Sequence, residues 1–212
     1  MRSRIRIIGV LAAVLCACGG DDGDDGGTGG TGGSGKCPAF SACGGDPVGD
    51  WTANEVCVSD PDALFKQAVN QPECKNALKS SSDADASGDY KLGADKKAVS
   101  TIVVSGTGVF SFDDACVKAL SVATSAASEC SKVQTELAKA SGVKSATCTA
   151  KAPNCECNVS LEMSLGGMGN YTVNGDKLTV NNLVQPFCVQ GNTLKLQTTS
   201  MGVTAFFTLT KK

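Results

Sequence analysis

Asp83, Asp85, Ser87 and Asp89 alternate along the chain with Gly88 among them, the oxygen spacing and glycine bend of a calcium loop. The pattern fails at its close: Ala94 stands at the twelfth position in place of a bidentate glutamate, and no helical pattern flanks it. An Asp/Ser/Gly turn leading into a strand uses the same residues. These four are the calcium candidate; no other metal and no cofactor is expected. Ser141 and Lys144 match the S-x-x-K pairing of a nucleophilic serine with a lysine. However, 20 serines and 16 lysines in 212 residues produce roughly 1.5 such matches by chance, and the companion K-T-G and S-D-N elements are missing. The chain has no histidine, and its three arginines, Arg2, Arg4 and Arg6, lie in the first six residues. Ser-His-Asp and Cys-His catalysis are thereby excluded, and the rest of the chain lacks the bidentate clamp for carboxylate or phosphate. We expect no enzyme. Beyond residue 36 there are 15 lysines and 17 acidic residues, without the basic patch a nucleic-acid partner requires.

The N-terminal residues point elsewhere. After the three arginines, residues 7–17 form an apolar run of 11, too short for a spanning helix but of signal-peptide length. Leu15-Cys16-Ala17-Cys18 then resembles the lipobox of bacterial lipoproteins. The resemblance implies a signal peptide at 1–17, cleavage before Cys18, a diacylglyceryl thioether on Cys18 and acylation of its new amino group. Each buried methylene of such chains adds about 0.8 kcal/mol, so the expected partner is a lipid bilayer. Gly19 follows Cys18, not the aspartate that retains some lipoproteins in the inner membrane, which points to the outer membrane. Residues 18–36 continue as a tether with ten glycines and four aspartates, whose root-mean-square reach is about 21 to 25 Å.

In an exported chain the ten remaining cysteines, Cys37, Cys43, Cys57, Cys74, Cys116, Cys130, Cys148, Cys155, Cys157 and Cys188, read as five disulfides. Zinc is disfavoured by the absence of histidine and of a CxxC pair. The pairing stays open. If 114–140 is one unbroken helix, Cys116 and Cys130 lie about 21 Å apart and must pair with other elements; if the Ser/Thr-rich stretch 121–128 breaks it, they are free to pair with each other.

The elements that carry these residues are mainly strands. YTVNGDKLTV at 171–180 and FCVQGNTLKL at 187–196 share one pattern: aromatic, x, Val, amide, Gly, Asp/Asn, x, Leu, x, aliphatic. Each reads as a hairpin about a glycine turn, with Asn174-Gly175 a strong signal. Residues 157–165 alternate apolar and polar side chains, as do 203–210, the mark of an antiparallel sheet with one wet face. Further strands are expected at 51–58, 89–92, 99–105 and 107–112. Asp60-Pro61 opens a helix that Pro72 stops, and Asp113-Asp114 opens another reaching Gly142; their weak apolar faces suit a lid or flank. A meander of this size hides its edges by closing into a barrel.

Gly49-Asp50-Trp51, after the glycines of CGGDPVGDW, resembles the G-x-W that opens the first strand of lipocalins and bacterial lipocalin-like lipoproteins. The resemblance implies that the preceding glycines turn the chain under the barrel and that Trp51, the single tryptophan, plugs its closed end, with Gly49 and Trp51 as the barrel-closing motif. The chain departs from lipocalins proper: no arginine is left to stack on Trp51, Lys211 and Lys212 being poor planar substitutes, and the second signature with its Thr-Asp is missing. The expectation for 37–212 is thus a disulfide-rich, lipocalin-like, up-and-down antiparallel barrel of about eight strands with one or two flanking helices. Such a barrel either holds one small apolar ligand or fills with its own side chains. The first makes the protein a ligand-binding envelope lipoprotein. The alternative is a structural or interaction lipoprotein with a packed barrel. Composition decides neither ligand identity nor oligomeric state.

Overall fold

The computed structural model describes residues 37–212 apart from Asn70, Met201 and Gly202; the expected signal peptide, Cys18 and the expected tether lie outside the described residues. The chain forms β1 (Gly49–Val58), α1 (Pro61–Ala68), a 3₁₀ turn (Pro72–Cys74), β2 (Leu78–Ser81), β3 (Asp85–Ser87), β4 (Asp89–Leu92), β5 (Lys97–Ser100) and β6 (Val103–Phe112). There follow α2 (Asp114–Ala119), α3 (Cys130–Leu137), β7 (Val143–Lys151), β8 (Asn154–Ser164), β9 (Gly167–Asn174), β10 (Lys177–Val180), β11 (Leu183–Gln190), β12 (Thr193–Ser200) and β13 (Val203–Lys211).

Eight strands close into an antiparallel barrel in the ring order β1, β4, β5, β9, β10, β11, β12, β13 and back to β1. Ring order equals chain order, so the barrel is up-and-down, with two insertions. The insertions supply a second, five-stranded sheet of β2, β6, β8 and β7 with β3 on β6. The expected barrel is therefore present, but 103–112 and 154–164 are not part of its wall. Length explains why. Residues 97–112 form an almost continuous extended run, about 50 Å at 3.3 Å per residue, whereas β4, β5 and β10 have four residues each. The wall bends instead: β3 passes into β4 at Gly88, β5 into β6 at 101–102, and β8 into β9 at 165–166. At this corner Gly88 has φ +108°, and a Cβ there would stand 2.4 Å from the Thr101 carbonyl oxygen.

Each layer has its own core. Trp51, Tyr90, Leu92, Tyr171, Leu178, Phe187, Leu194, Phe207 and Leu209 fill the barrel. Phe110, Phe112, Val159 and Leu161 of the second sheet pack on Phe65, Val117, Val122, Ala126, Val133 and Leu137. The helices are thus not lids: the apolar face of the second sheet needs a covering layer, and they provide it. Phe65 lies on β6 where Gly108 leaves room, since a Cβ there would stand 2.7 Å from its ring.

Both expected N-caps form. Asp60 accepts from the Ala63 N–H at 3.0 Å and Asp113 from the Cys116 N–H at 2.8 Å, with Pro61 at the first helical position. The stretch from 113 to 142 is broken, giving three α-helices where one or two were expected. Ser121 adopts φ +57°, and Glu129 draws in the Thr124 hydroxyl and the N–H groups of Thr124 and Ser125. Such local side-chain bonds compete with helix.

The ten cysteines form five bridges: Cys37–Cys57, Cys43–Cys188, Cys74–Cys116, Cys130–Cys155 and Cys148–Cys157. Although the helix breaks, Cys116 and Cys130 pair with other elements. The first two bridges bind the segment before β1 to the barrel, and the other three serve the second layer.

Candidate functional site: the barrel interior and its mouth

The barrel is closed at one end by what precedes β1. Residues 37–43 run outside the wall, with Phe40 6.0 Å from Phe206, and Gly44 then accepts a bridge with Cys188 of β11. The Gly44 N–H donates to the Phe187 carbonyl, and the Val189 N–H donates to that of Gly44. A Cβ on Gly44 would stand 2.7 Å from the Gly175 oxygen, so glycine is needed for this passage beneath the strands. The chain rises at Trp51, which is fully buried and donates its indole N–H to the Pro47 carbonyl at 2.8 Å. Lys211 lies over the ring, its ammonium 5.5 Å from the centroid, a cation–π contact on the face where the sequence offered no arginine. Gly49 makes room for it: a Cβ would stand 3.0 Å from Lys211 Cε.

The two hairpins of matching pattern, β9–β10 and β11–β12, supply the next layer from equivalent positions. Tyr171 and Phe187, and Leu178 and Leu194, are buried inside. Gly175 and Gly191 both have positive φ, at +59° and +57°, while the following Asp176 and Asn192 do not. Glycine is thus the first of two turn residues, the arrangement of a type II′ hairpin. The Tyr171 hydroxyl donates to the Gly93 carbonyl at 2.7 Å.

At the end opposite Trp51 a half-open pocket of about 790 Å³ spans the rim, bordered by the buried Tyr90, Ala98, Ile102, Leu196 and Phe207 and by the exposed Met168, Asn170, Thr172 and Asn181, within the range of small-molecule sites, about 300 to 1,000 Å³. Burial pushes the Tyr90 hydroxyl well above the usual phenol range, with Tyr171 adding to the shift, so Tyr90 stays neutral. At the rim, Asn181 and Asn182 form the β10–β11 turn with φ +47° and +69°, a type I′ geometry. The Asn181 side chain occupies the space a Cβ on Gly169 would need and donates to the Met168 carbonyl. Met168, 80% exposed, projects at the same rim.

Gln185 also lines the cavity. It lies opposite Leu178 in the β10–β11 register and two residues before Phe187, on the inward parity of β11. Its Oε1 is buried without a hydrogen-bond partner among the described residues. Gln185 was not among the expected site residues; its signal in the sequence is a polar side chain at an inward position of a strand.

No family model matches this chain, and no curated protein was found to be similar to it.

The other candidate residues are placed as follows. Asp85 to Ser87 run as a strand paired to β6, so the chain does not curl these oxygens about a point. Asp89 already accepts from Thr52 Oγ1 and Lys212 Nζ, at 3.1 and 2.8 Å, and the lysine contact foremost holds its carboxyl below the usual range. Among the described residues the grouping with metal-ligand spacing is Cys148, Cys155 and Cys157, whose sulfurs are committed to disulfides. Ser141 is exposed beyond α3, and Lys144 pairs with Glu162 in solvent. No helix among the described residues is long and apolar enough to cross a membrane.

Proposed function

We propose that this chain is an exported, lipid-anchored protein of the bacterial cell envelope whose lipocalin-like barrel binds a small apolar molecule, without catalysis. The observation that carries the reading is the cavity between Tyr90, Ile102, Leu196 and Phe207, in a barrel sealed at the Trp51 end. Anchoring rests on the resemblance of Leu15-Cys16-Ala17-Cys18 to a lipobox and on the glycine-rich tether. The Cys37–Cys57 bridge is in keeping with it. Val56 and Cys57 lie opposite Phe207 and Phe206, so Cys37 is held to the barrel near the pocket end.

Two measurements test the reading. Fractionation of cells making the natural chain and Cys18→Ser should show membrane association for the first only, with the diacylglyceryl mass on the N-terminal peptide; equal partitioning rejects the anchor. Native mass spectrometry of the Cys18→Ser chain, before and after incubation with envelope lipid extract, should show an adduct that leaves on denaturation. A barrel that takes up nothing favours the structural role.

A further inference from the structure

We propose that the second layer carries a redox-gated site for a soft metal ion of the zinc class, built from Cys130, Cys148, Cys155 and Cys157. In the oxidised chain these residues are the bridges Cys130–Cys155 and Cys148–Cys157 and take no metal; reduced, they are four thiolate ligands. The inference is independent of the barrel pocket. The C-x-C spacing at 155–157 puts two sulfurs on one face of β8, 3.7 Å apart. Cys148 stands directly opposite Cys157 in the β7–β8 register, and the sulfurs of Cys148, Cys155 and Cys157 all lie within 4.8 Å of one another. Cys130, the first residue of α3, is bonded to Cys155 and completes the set from the covering layer. A tetrahedral zinc site with bonds of about 2.3 Å spaces its sulfurs about 3.8 Å apart, so each bonded pair has to part by only about 1.8 Å. The pairing of β7 with β8 and the packing of α3 through Val133 and Leu137 hold the four positions without the bridges. Cys155 and Cys157 are fully buried and Cys130 nearly so; Cys148 is half-buried and is the sulfur that a reductant or an ion reaches. The helix dipole at Cys130 favours its thiolate, and four sulfur ligands select zinc or another soft ion over magnesium or calcium. Two equivalents of a dithiol supply the four electrons and four protons that open both bridges, leaving as two cyclic disulfides. The ion then displaces four protons from the four thiols. The other six cysteines form three bridges, and among the described residues none of them joins such a grouping.

The experiment uses the natural chain in detergent, reduced with a phosphine without denaturant, freed of the phosphine, and alkylated with iodoacetamide with or without Zn²⁺. Peptide mass spectrometry maps the reaction at each cysteine. Zn²⁺ is expected to slow alkylation of Cys130, Cys148, Cys155 and Cys157 by about tenfold or more and to leave the other six unchanged. Native mass spectrometry should show one ion on the reduced chain and none on the unreduced one. Cys155→Ser should lose the ion, while Cys43→Ala/Cys188→Ala, which removes a remote bridge, should keep it. Protection absent from the four, or spread evenly over all ten, overturns the site; an ion held equally by the unreduced chain overturns the gating. Equal binding by Cys155→Ser and by the remote variant also refutes the assignment. If Cys155→Ser does not fold, the protection pattern of the natural chain decides.

Discussion

The two bridges that hold the N-terminal segment to the barrel should contribute unequally to stability, in an order set by chain length. Cys43–Cys188 spans 145 residues and Cys37–Cys57 spans 20. With Cys74–Cys116 and Cys130–Cys155 intact, 42 and 25 of the 145 residues are already short-circuited, leaving an effective loop of about 80. Chain-entropy arithmetic then assigns about 4.5 kcal/mol to Cys43–Cys188 and about 3.3 kcal/mol to Cys37–Cys57. Cys43 is exposed, Cys37 and Cys57 are half-buried and Cys188 is buried, so paired alanine substitutions leave mostly the cross-link term for Cys37–Cys57 and add a small loss of packing at Cys188 for the other pair, in the same direction as the expected order. The assay is urea unfolding without reductant, followed by fluorescence of Trp51, the single tryptophan, which reports the barrel. At a slope of about 2 kcal/mol/M, the midpoint should fall by about 2.2 M for Cys43→Ala/Cys188→Ala and by about 1.6 M for Cys37→Ala/Cys57→Ala. The reasoning is refuted if the shorter loop costs as much as the longer one, or if either pair costs less than about 1 kcal/mol.

Other outcomes are expected. Gly88→Ala meets the Thr101 carbonyl oxygen at 2.4 Å in a backbone of φ +108° and should cost about 2 to 3 kcal/mol, seen as a melting temperature lower by about 4 to 12 °C. Gly191→Ala, with open space around its Cβ, is the milder control, and equal losses would discount the corner. The Thr124 hydroxyl, then the Thr124 and Ser125 N–H groups, hold the Glu129 carboxyl down to about 2 from its ordinary 4.5. A depressed carboxyl stabilises above its unfolded value, so this contribution should be full above pH 4.5 and lost as pH falls towards 2. Glu129→Gln should flatten that acid limb and speed amide exchange at Ser125; an unchanged pH profile would count against the contact. Asp60→Ala removes the cap on Ala63 and should cost about 1 kcal/mol, measured by the same urea titration; no change would show that α1 is held by Phe65 alone.

Much of the local structure was legible because its causes are local. Asp60 and Asp113 announced their helices through short hydrogen bonds to residues three ahead. The 171–180 and 187–196 segments announced hairpins because a two-residue turn needs glycine and a buried face needs alternation. The placement of Phe110 and Leu161 was not legible. Alternation says that a strand has an apolar face, and either a barrel interior or a layer of helices satisfies it equally. The candidate site was legible at its closed end, where Trp51 and the glycines before it stand in sequence order. Its open end was not, because Tyr90, Ile102, Gln185, Leu196 and Phe207 come from five separate stretches of chain.

Taken alone, the sequence determined composition-level chemistry and periodicity: no histidine to act as a base, ten cysteines beyond the N-terminal pair, strand and turn positions, and the helix starts. These depend on residue type or on neighbours a few positions apart. Only tertiary structure decided which cysteines meet, where the wall bends at Gly88, that Lys211 lies over Trp51, and that Gln185 borders the pocket at the open end. Each of those depends on distances between residues remote in the chain, which barrel closure sets all at once and no local interaction encodes.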